Sequence, residues 1–216
     1  MRQPILACCI FILVSACSSE PVTSPILETD LDRRVWSFLD SNGGDWDLEN
    51  VPATDGRLLY DLIVENGYTN ALDIGTSTGH SSTWMAWALS KTGGKLVTVE
   101  YDPSRHRKAL DNFEKAGLLH IIDARLADAH ELVPALEGPF DFVFCDADKD
   151  WYINYLNAVM PKLQEGGCFA AHNVRSWLIA PEGFLEHVDS LGMFETTIEG
   201  SPSGVSVSYK RSALRP

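Results

Sequence analysis

A glycine-spaced loop is the stretch of this sequence best suited to chemistry. It runs from Asp73 to His80 (Asp-Ile-Gly-Thr-Ser-Thr-Gly-His), after a short apolar run and before a helix-like segment at Ser81–Leu89. A strand that ends in such a turn lets backbone N–H groups approach a ligand closely. The G-x-x-x-G spacing of Gly75 and Gly79 differs from the G-x-G-x-x-G of dinucleotide sites, so a pyrophosphate cradle is the weaker interpretation.

A carboxylate ends the next apolar run, Val97-Thr-Val-Glu100. An acidic residue at this point of an α/β unit commonly accepts hydrogen bonds from ribose hydroxyls. In this order and at this distance, the glycine loop and Glu100 indicate a nucleoside-bearing cofactor without a pyrophosphate, and S-adenosylmethionine is the leading candidate. The alternative is that the glycines only form a tight turn, as in many βα units.

Polar residues also follow two later apolar runs. Asp146 ends the first of these runs, and His172 and Asn173 end the second. Because parallel strands end at one edge of a sheet, these side chains can meet around a single cation. For Asp148 and Asp150 we favour another role, capping the helix that follows, which Asp residues often do.

Strand and helix patterns alternate along most of the chain. Strands are expected at Ala71–Ile74, Leu96–Glu100, Ile121–Leu126, Phe140–Asp146 and Cys168–Ala171, and helices at Leu31–Leu39, Gly56–Asn66, Ser81–Leu89, Pro103–Ala116, Ala129–Leu136 and Tyr152–Leu163. This alternation predicts βαβ units and a mostly parallel sheet in an α/β domain at 31–216. Two strand-like runs, Phe194–Ile198 and Val205–Lys210, predict a C-terminal antiparallel hairpin.

The N-terminus has the pattern of an export signal. Arg2 precedes an apolar run at Ile5–Val14, too short for a bilayer span of about 20 residues, and Val14-Ser-Ala-Cys17 resembles the lipobox of bacterial lipoproteins. We therefore expect a signal peptide at 1–16, a lipid on Cys17 and a tether at 17–30. The protein would be an exported, membrane-anchored lipoprotein on the periplasmic side or the cell surface. The alternatives are a short N-terminal anchor, or a functionless apolar tail on a cytoplasmic protein.

Composition narrows the class of partner. The formal net charge of −13 argues against a nucleic-acid partner, which requires a basic face. The hydrophobic content of 45% is ordinary for a globular protein. Beyond the N-terminal segment only Cys145 and Cys168 remain, each in an apolar run, and we expect buried thiols rather than a disulfide.

From about Val51 to Lys210 the sequence resembles the cation-dependent O-methyltransferases that include the catechol and caffeoyl-coenzyme A enzymes. The matching motifs are Asp55-Gly-Arg-Leu-Leu59, Leu72-Asp-Ile-Gly-Thr-Ser-Thr-Gly-His-Ser81, Val99-Glu-Tyr-Asp102, Ala127-Asp-Ala129, Asp146-Ala-Asp-Lys149 and His172-Asn173. The Asp-Ala-Asp-Lys run with its following aromatic residue is the most specific. The resemblance implies a Rossmann-like class I methyltransferase fold with a seven-stranded sheet.

The resemblance also implies roles for individual residues. The cofactor-binding residues would include Asp73, with Gly75 and Ser81 for the methionine part, Glu100 for the ribose, and Asp128 and Ala129 for the adenine. Asp146 and Asn173 would ligate a divalent cation, with His172 as a third potential ligand, and Lys149 would be the catalytic base beside Asp146. In such enzymes both oxygens of a vicinal diol bind the metal, and one oxygen attacks the sulfonium methyl group.

His172 departs from the family, which usually has Asp at this position. Magnesium prefers oxygen ligands, whereas imidazole suits zinc or manganese better. The site has therefore changed its ion, weakened, or been lost with His172 acting as a base. Its three potential ligands favour a retained metal.

Two hypotheses for the function follow. The first is an O-methyltransferase acting on a small hydroxylated, catechol-like acceptor with metal assistance, a homodimer like many related enzymes. The second is a lipid-anchored binding protein that kept the fold without turnover, which fits a chain exported away from cytoplasmic S-adenosylmethionine. Trp151, Tyr152 and Trp177 either line an aromatic acceptor pocket or pack in the core.

Overall fold

The computed structural model describes residues 22–41, 46 and 50–212. The predicted signal peptide, Cys17 and the first residues of the tether lie outside these ranges. The helices are α1 (Asp30–Ser41), α2 (Ala53–Asn66), α3 (His80–Thr92), α4 (Pro103–Ala116), α5 (Ala129–Ala135), α6 (Tyr152–Val159) and α7 (Phe184–Ser190). The strands are β1 (Asn70–Ile74), β2 (Lys95–Glu100), β3 (Ile122–Leu126), β4 (Phe140–Cys145), β5 (Leu163–His172), β6 (Phe194–Glu199) and β7 (Val205–Lys210). Within the described ranges, every helix is too short or too polar to cross a membrane.

The seven strands form one sheet in the order β3-β2-β1-β4-β5-β7-β6. The first five strands are mutually parallel, whereas β7 lies antiparallel between β5 and β6. The predicted α/β, Rossmann-like sheet with a C-terminal hairpin is confirmed. Chain order reverses between β1 and β4, and a crevice at such a switch point is where ligands bind in open α/β sheets.

Helices cover both faces of the sheet, which explains why its central strands are mostly apolar. β4 is buried along its whole length. Successive residues of β1 belong to opposite faces, with Ala71 in a core cluster that includes Trp84 and Trp87 of α3. Leu72 belongs to a second cluster with Tyr155 of α6. The first four helices thus pack on one face and the last three on the other.

A buried carboxylate fixes α1 to this body. Asp32 accepts a hydrogen bond from Trp87 Nε1 (2.8 Å) and pairs with Lys91. Asp32 and Thr29 also form a reciprocal cap, each accepting from the other's backbone N–H. Burial alone would raise the pKa of Asp32, but Lys91, Trp87 and Thr29 hold it well below its usual range.

The differences from the sequence prediction include three element boundaries and one helix. α6 ends at Val159 rather than Leu163, because Pro161 lacks an N–H and a 3-10 turn, Met160–Lys162, follows. β5 begins at Leu163 instead of Cys168, β4 ends one residue before Asp146, and α7 was not predicted. Cys145 and Cys168 are free and buried, as predicted.

Candidate active site

A cavity of about 710 Å³ opens at the switch point between β1 and β4. Its lining includes Gly75, Glu100, Asp146, Lys149 and His172, which lie at the carboxyl ends of four parallel strands or in the loops that follow them. A concave site of this volume is large enough for a nucleoside cofactor and a small second ligand.

The glycine loop passes very close to the loop that follows β4. Gly75 has φ +109°, and a Cβ at this position would lie 3.0 Å from backbone atoms of Asp146 and Ala147. The N–H of Asp146 donates to Ile74 O at 2.9 Å, which holds the two loops together. Only glycine satisfies both the positive φ and the close approach.

Glu100 is oriented by two backbone donors. Its Oε2 accepts from Ser77 N at 2.7 Å and its Oε1 accepts from Asp102 N at 2.9 Å. Because each carboxylate oxygen has a second lone pair, the side chain can still accept hydrogen bonds from two hydroxyls in the cavity. This arrangement suits the predicted ribose contact.

Asp73 lies in the interior beside the loop. Its Oδ2 accepts from Ser81 Oγ (2.9 Å) and Ser82 Oγ (2.5 Å), whereas its Oδ1 is buried without a hydrogen-bond partner. Burial raises the pKa of Asp73 to about 7 despite the hydroxyl donors, and the charges of Asp146 and Glu100 add to the rise. A buried acceptor without a donor is costly, which adds to the cost of ionising Asp73. Asp73 and Ser81 are not among the described residues that line the cavity.

The predicted adenine end lies at the start of α5. Asp128 caps this helix by accepting from His130 N at 2.9 Å, and Ala129 lines the cavity. His130 stacks on Trp151 with ring centroids 3.8 Å apart. Of these two rings, His130 lines the cavity, so this end of the cavity is bordered by a flat ring.

The predicted cap by acidic residues before α6 is partly confirmed. Asp148 accepts from the backbone N–H of Asp150 at 3.1 Å and so caps the 3-10 turn Lys149–Trp151. Asp150 supplies that N–H and is not itself the cap, because the chain forms a 3-10 turn before α6 begins.

His172 lies between two carboxylates. Its Nε2 is 2.9 Å from Asp55 Oδ2 and its Nδ1 is 3.2 Å from Asp146 Oδ2. Ionised carboxylates only accept hydrogen bonds, so both ring nitrogens carry protons. Burial lowers the pKa of His172, but the hydrogen bonds and charges of Asp146 and Asp55 outweigh it and raise the pKa to about 9.

Lys149 completes this cluster of charges. Its Nζ donates to Asp146 Oδ1 and to Tyr152 Oη, the latter at 2.8 Å. The Tyr152 hydroxyl in turn donates to the backbone oxygen of His172 at 3.2 Å. Tyr152 is buried below the site, whereas Trp177, another of the three proposed pocket aromatics, is 89% exposed.

Asp55 is a site residue that the sequence did not predict. This residue is fully buried at the start of α2, and Ser201 donates to it from both N–H and hydroxyl. The Asp55-Gly-Arg motif was visible in the sequence and marked the position. Nothing in it pointed to Ser201 or His172, which lie 146 and 117 residues away.

The predicted metal ligands do not fit a divalent cation in this arrangement. Both nitrogens of His172 face carboxylates and both oxygens of Asp146 face cationic side chains. A histidine ligates metals only as the neutral imidazole, through a free lone pair. Across the described ranges, no group of three or more His, Cys, Asp or Glu residues is placed to hold a metal ion.

The strand order and the glycine loop at the switch point define an α/β protein of the class I methyltransferase type. A family model described as O-methyltransferase matches residues 41–187. The chain belongs to this O-methyltransferase family.

Two relatives from different kingdoms illustrate the similarity. Catechol O-methyltransferase of Niastella koreensis is 39% identical over 129 residues, covering 58% of this chain and 58% of the relative. Caffeoyl-CoA O-methyltransferase 2 of Eucalyptus globulus is 34% identical over 134 residues, covering 59% and 54%. The aligned region thus spans little more than half the length of these relatives.

Solved structures match over more of the chain. An O-methyltransferase from Bacillus cereus in complex with SAH is 26% identical with a TM-score of 0.70, covering 82% of this chain and 91% of that one. TomG of Streptomyces achromogenes, in complex with SAM, has a TM-score of 0.66 at 22% identity over 86% and 91%. The latter similarity concerns the fold alone.

Proposed function

We propose that this protein is an S-adenosylmethionine-dependent O-methyltransferase acting on a small hydroxylated, catechol-like acceptor. The observation that carries the proposal is the shared cavity, in which Lys149 and Asp146 line the wall of the space that Gly75 and Glu100 also border. Family membership and the names of the relatives support the same reaction class.

The cofactor would lie along the loops that follow β1, β2 and β3. Glu100 would hold the ribose hydroxyls, and Asp128 and Ala129 the adenine. Asp73 is buried behind the cavity lining and would act indirectly, by supporting the glycine loop. The carboxylates around this path favour a cofactor that carries a positive sulfonium. Ser81 would act indirectly, since it donates to Asp73.

Lys149 would handle the proton of the acceptor. Lys149 Nζ, an ammonium beside Asp146 in the resting site, first releases a proton to solvent; the amine then takes the hydroxyl proton, and Asp146 and Tyr152 stabilise the ammonium that results. The acceptor oxygen then bonds to the methyl carbon while the C–S bond breaks, and the sulfur keeps the electron pair. The protein contributes orientation of the reactants and electrostatic stabilisation of the oxyanion. No step is assigned to a metal.

A calorimetric titration of the purified full chain with S-adenosylmethionine tests this proposal, together with methyl transfer to catechol. Glu100→Gln should weaken cofactor binding by about 10-fold or more, because a charge-assisted hydrogen bond is lost. Glu195→Gln, at an exposed position of β6, is the matched control and should bind normally. Absence of cofactor binding by the unmodified chain would refute the proposal.

Export also remains a proposal from the sequence. We propose that the N-terminal signal is used and that Cys17 carries the lipid anchor. Metabolic labelling with a radioactive fatty acid should label the wild-type protein but not the variant Cys17→Ser. Unlabelled protein in the soluble fraction would overturn this. Described residues offer nothing in favour of the non-catalytic alternative, and a homodimer stays a prediction from the family resemblance.

A further inference from the structure

The charge cluster at the end of β5 has an unusual centre for a site that the family resemblance assigns to a divalent cation. His172 is only 5% exposed and contacts Asp55 through one ring nitrogen and Asp146 through the other. With hydrogens on both nitrogens, the ring is an imidazolium and has no lone pair left to offer a metal.

Asp55 is held in place independently of His172. Ser201 Oγ donates to Asp55 Oδ2 at 2.7 Å, and the N–H of Ser201 donates to Oδ1. The preceding Gly200 has φ +77°, and a Cβ there would lie 2.5 Å from Asp55 Oδ1. The turn between β6 and β7 therefore fits closely around this carboxylate and holds Asp55 in position for its contact with His172.

Charges within the cluster balance without a metal. Asp55 and Asp146 carry two negative charges, and His172 and Lys149 carry two positive charges. An entering divalent cation would be close to an imidazolium and an ammonium and would have to displace both from Asp146. Repulsion between like charges in a partly buried site opposes that exchange.

We propose that the imidazolium of His172, fixed between Asp55 and Asp146, replaces the divalent cation of the family and makes this site metal-independent. The inference rests on the proposed methyl transfer, because only in that reaction does the positive charge have a task. His172 is a positioning residue: it holds Asp146, and Asp146 holds Lys149 Nζ at the cavity wall. The charge that faces the acceptor oxygen then comes from Lys149.

Metal binding by the purified full chain tests the inference without any assay of turnover. Manganese(II) titration followed by electron paramagnetic resonance should show no specific site in the unmodified protein, with or without S-adenosylmethionine. The variant His172→Asp places a third carboxylate beside Asp55, Asp146 and Asn173, and should bind manganese at least about 100-fold more tightly than the unmodified chain. His120→Asp, which adds the same charge at an exposed turn, should not.

Nitrogen-15 NMR of the histidine rings tests the inference in the wild-type protein, so the result does not depend on whether His172→Asp folds. In the unmodified protein at pH 7, both ring nitrogens of His172 should give the signals of protonated nitrogen, and manganese should not broaden them. His172→Gln assigns the resonances. A neutral ring, or a stoichiometric manganese site that His172→Gln abolishes, would overturn the inference.

Activity measured alongside separates the two proposals. Methyl transfer unaffected by EDTA is the expected result, and transfer that requires added manganese would contradict metal independence. Failure to bind S-adenosylmethionine, in a protein whose His172 is an imidazolium, would instead refute the proposed function.

Discussion

Asp55 Oδ2 at the start of α2 lies 2.9 Å from His172 Nε2 at the end of β5, across 117 residues of chain. This contact joins α2, on one face of the sheet, to the carboxyl end of β5, the last of the parallel strands. It also decides the protonation of His172, because the other ring nitrogen already faces Asp146.

Removing the Asp55 carboxylate should therefore destabilise the fold. Asp55→Asn leaves a buried imidazolium with a single carboxylate and Ser201 with a weaker acceptor, and we expect a loss of about 3 kcal/mol in the free energy of unfolding. Urea denaturation measures this loss. Asp61→Asn, which breaks the partly exposed pair with Arg57, should cost less than about 1 kcal/mol. Equal losses in both variants would contradict a special role for Asp55.

Because of Asp73, the stability of the ligand-free protein should decrease as the pH rises. Burial raises its pKa to about 7 in the folded state, so the unfolded chain ionises first and the folded protein binds the extra proton. Between pH 5 and pH 8 this group alone should remove about 2 to 3 kcal/mol from the free energy of unfolding. Asp73→Asn should abolish this component of the decline. The comparison is made by chemical denaturation at both pH values, and parallel curves for the two proteins would show that Asp73 does not titrate in this range.

Gly75 should be irreplaceable for both stability and cofactor binding. Gly75→Ala puts a side chain at φ +109° and within 3.0 Å of the backbone of Asp146, so the loops after β1 and β4 must separate. We expect a loss of about 2 kcal/mol and cofactor binding too weak to detect by calorimetry. Gly93→Ala has a similar positive φ but open space around it, and should cost about 1 kcal/mol without affecting binding. Normal cofactor affinity in Gly75→Ala would exclude a close approach of the ligand to this loop.

Lys149 should affect turnover far more than cofactor affinity. Lys149→Met removes the group that accepts the hydroxyl proton, so kcat should fall by about 100-fold or more. The dissociation constant for S-adenosylmethionine should change less than about 3-fold, since Lys149 is assigned to the acceptor. Lys108→Met, at an exposed position of α4, serves as the control. Steady-state kinetics and calorimetry separate the two quantities, and a purely binding defect would remove Lys149 from the chemistry.

Local patterns were sufficient for most of the architecture. Apolar runs predicted the core strands β1 and β4. Helical periodicity predicted α4 with the same bounds as observed, Pro103–Ala116. Both depend on burial repeated at a fixed period along the chain, which the sequence displays directly. The missed α7 and the early end of α6 lie where short segments and Pro161 leave little periodic signal.

The sequence by itself determined the α/β sheet, the glycine loop of Gly75, the carboxylate of Glu100 and the presence of charged residues at two neighbouring strand ends. Only the tertiary structure decided what those charged residues do. Asp55, Asp146 and His172 come from distant parts of the chain, and the imidazolium exists because folding brings both carboxylates to one ring. A ring's hydrogen bonding and protonation depend on its neighbours in space, and no local pattern encodes which neighbours those are.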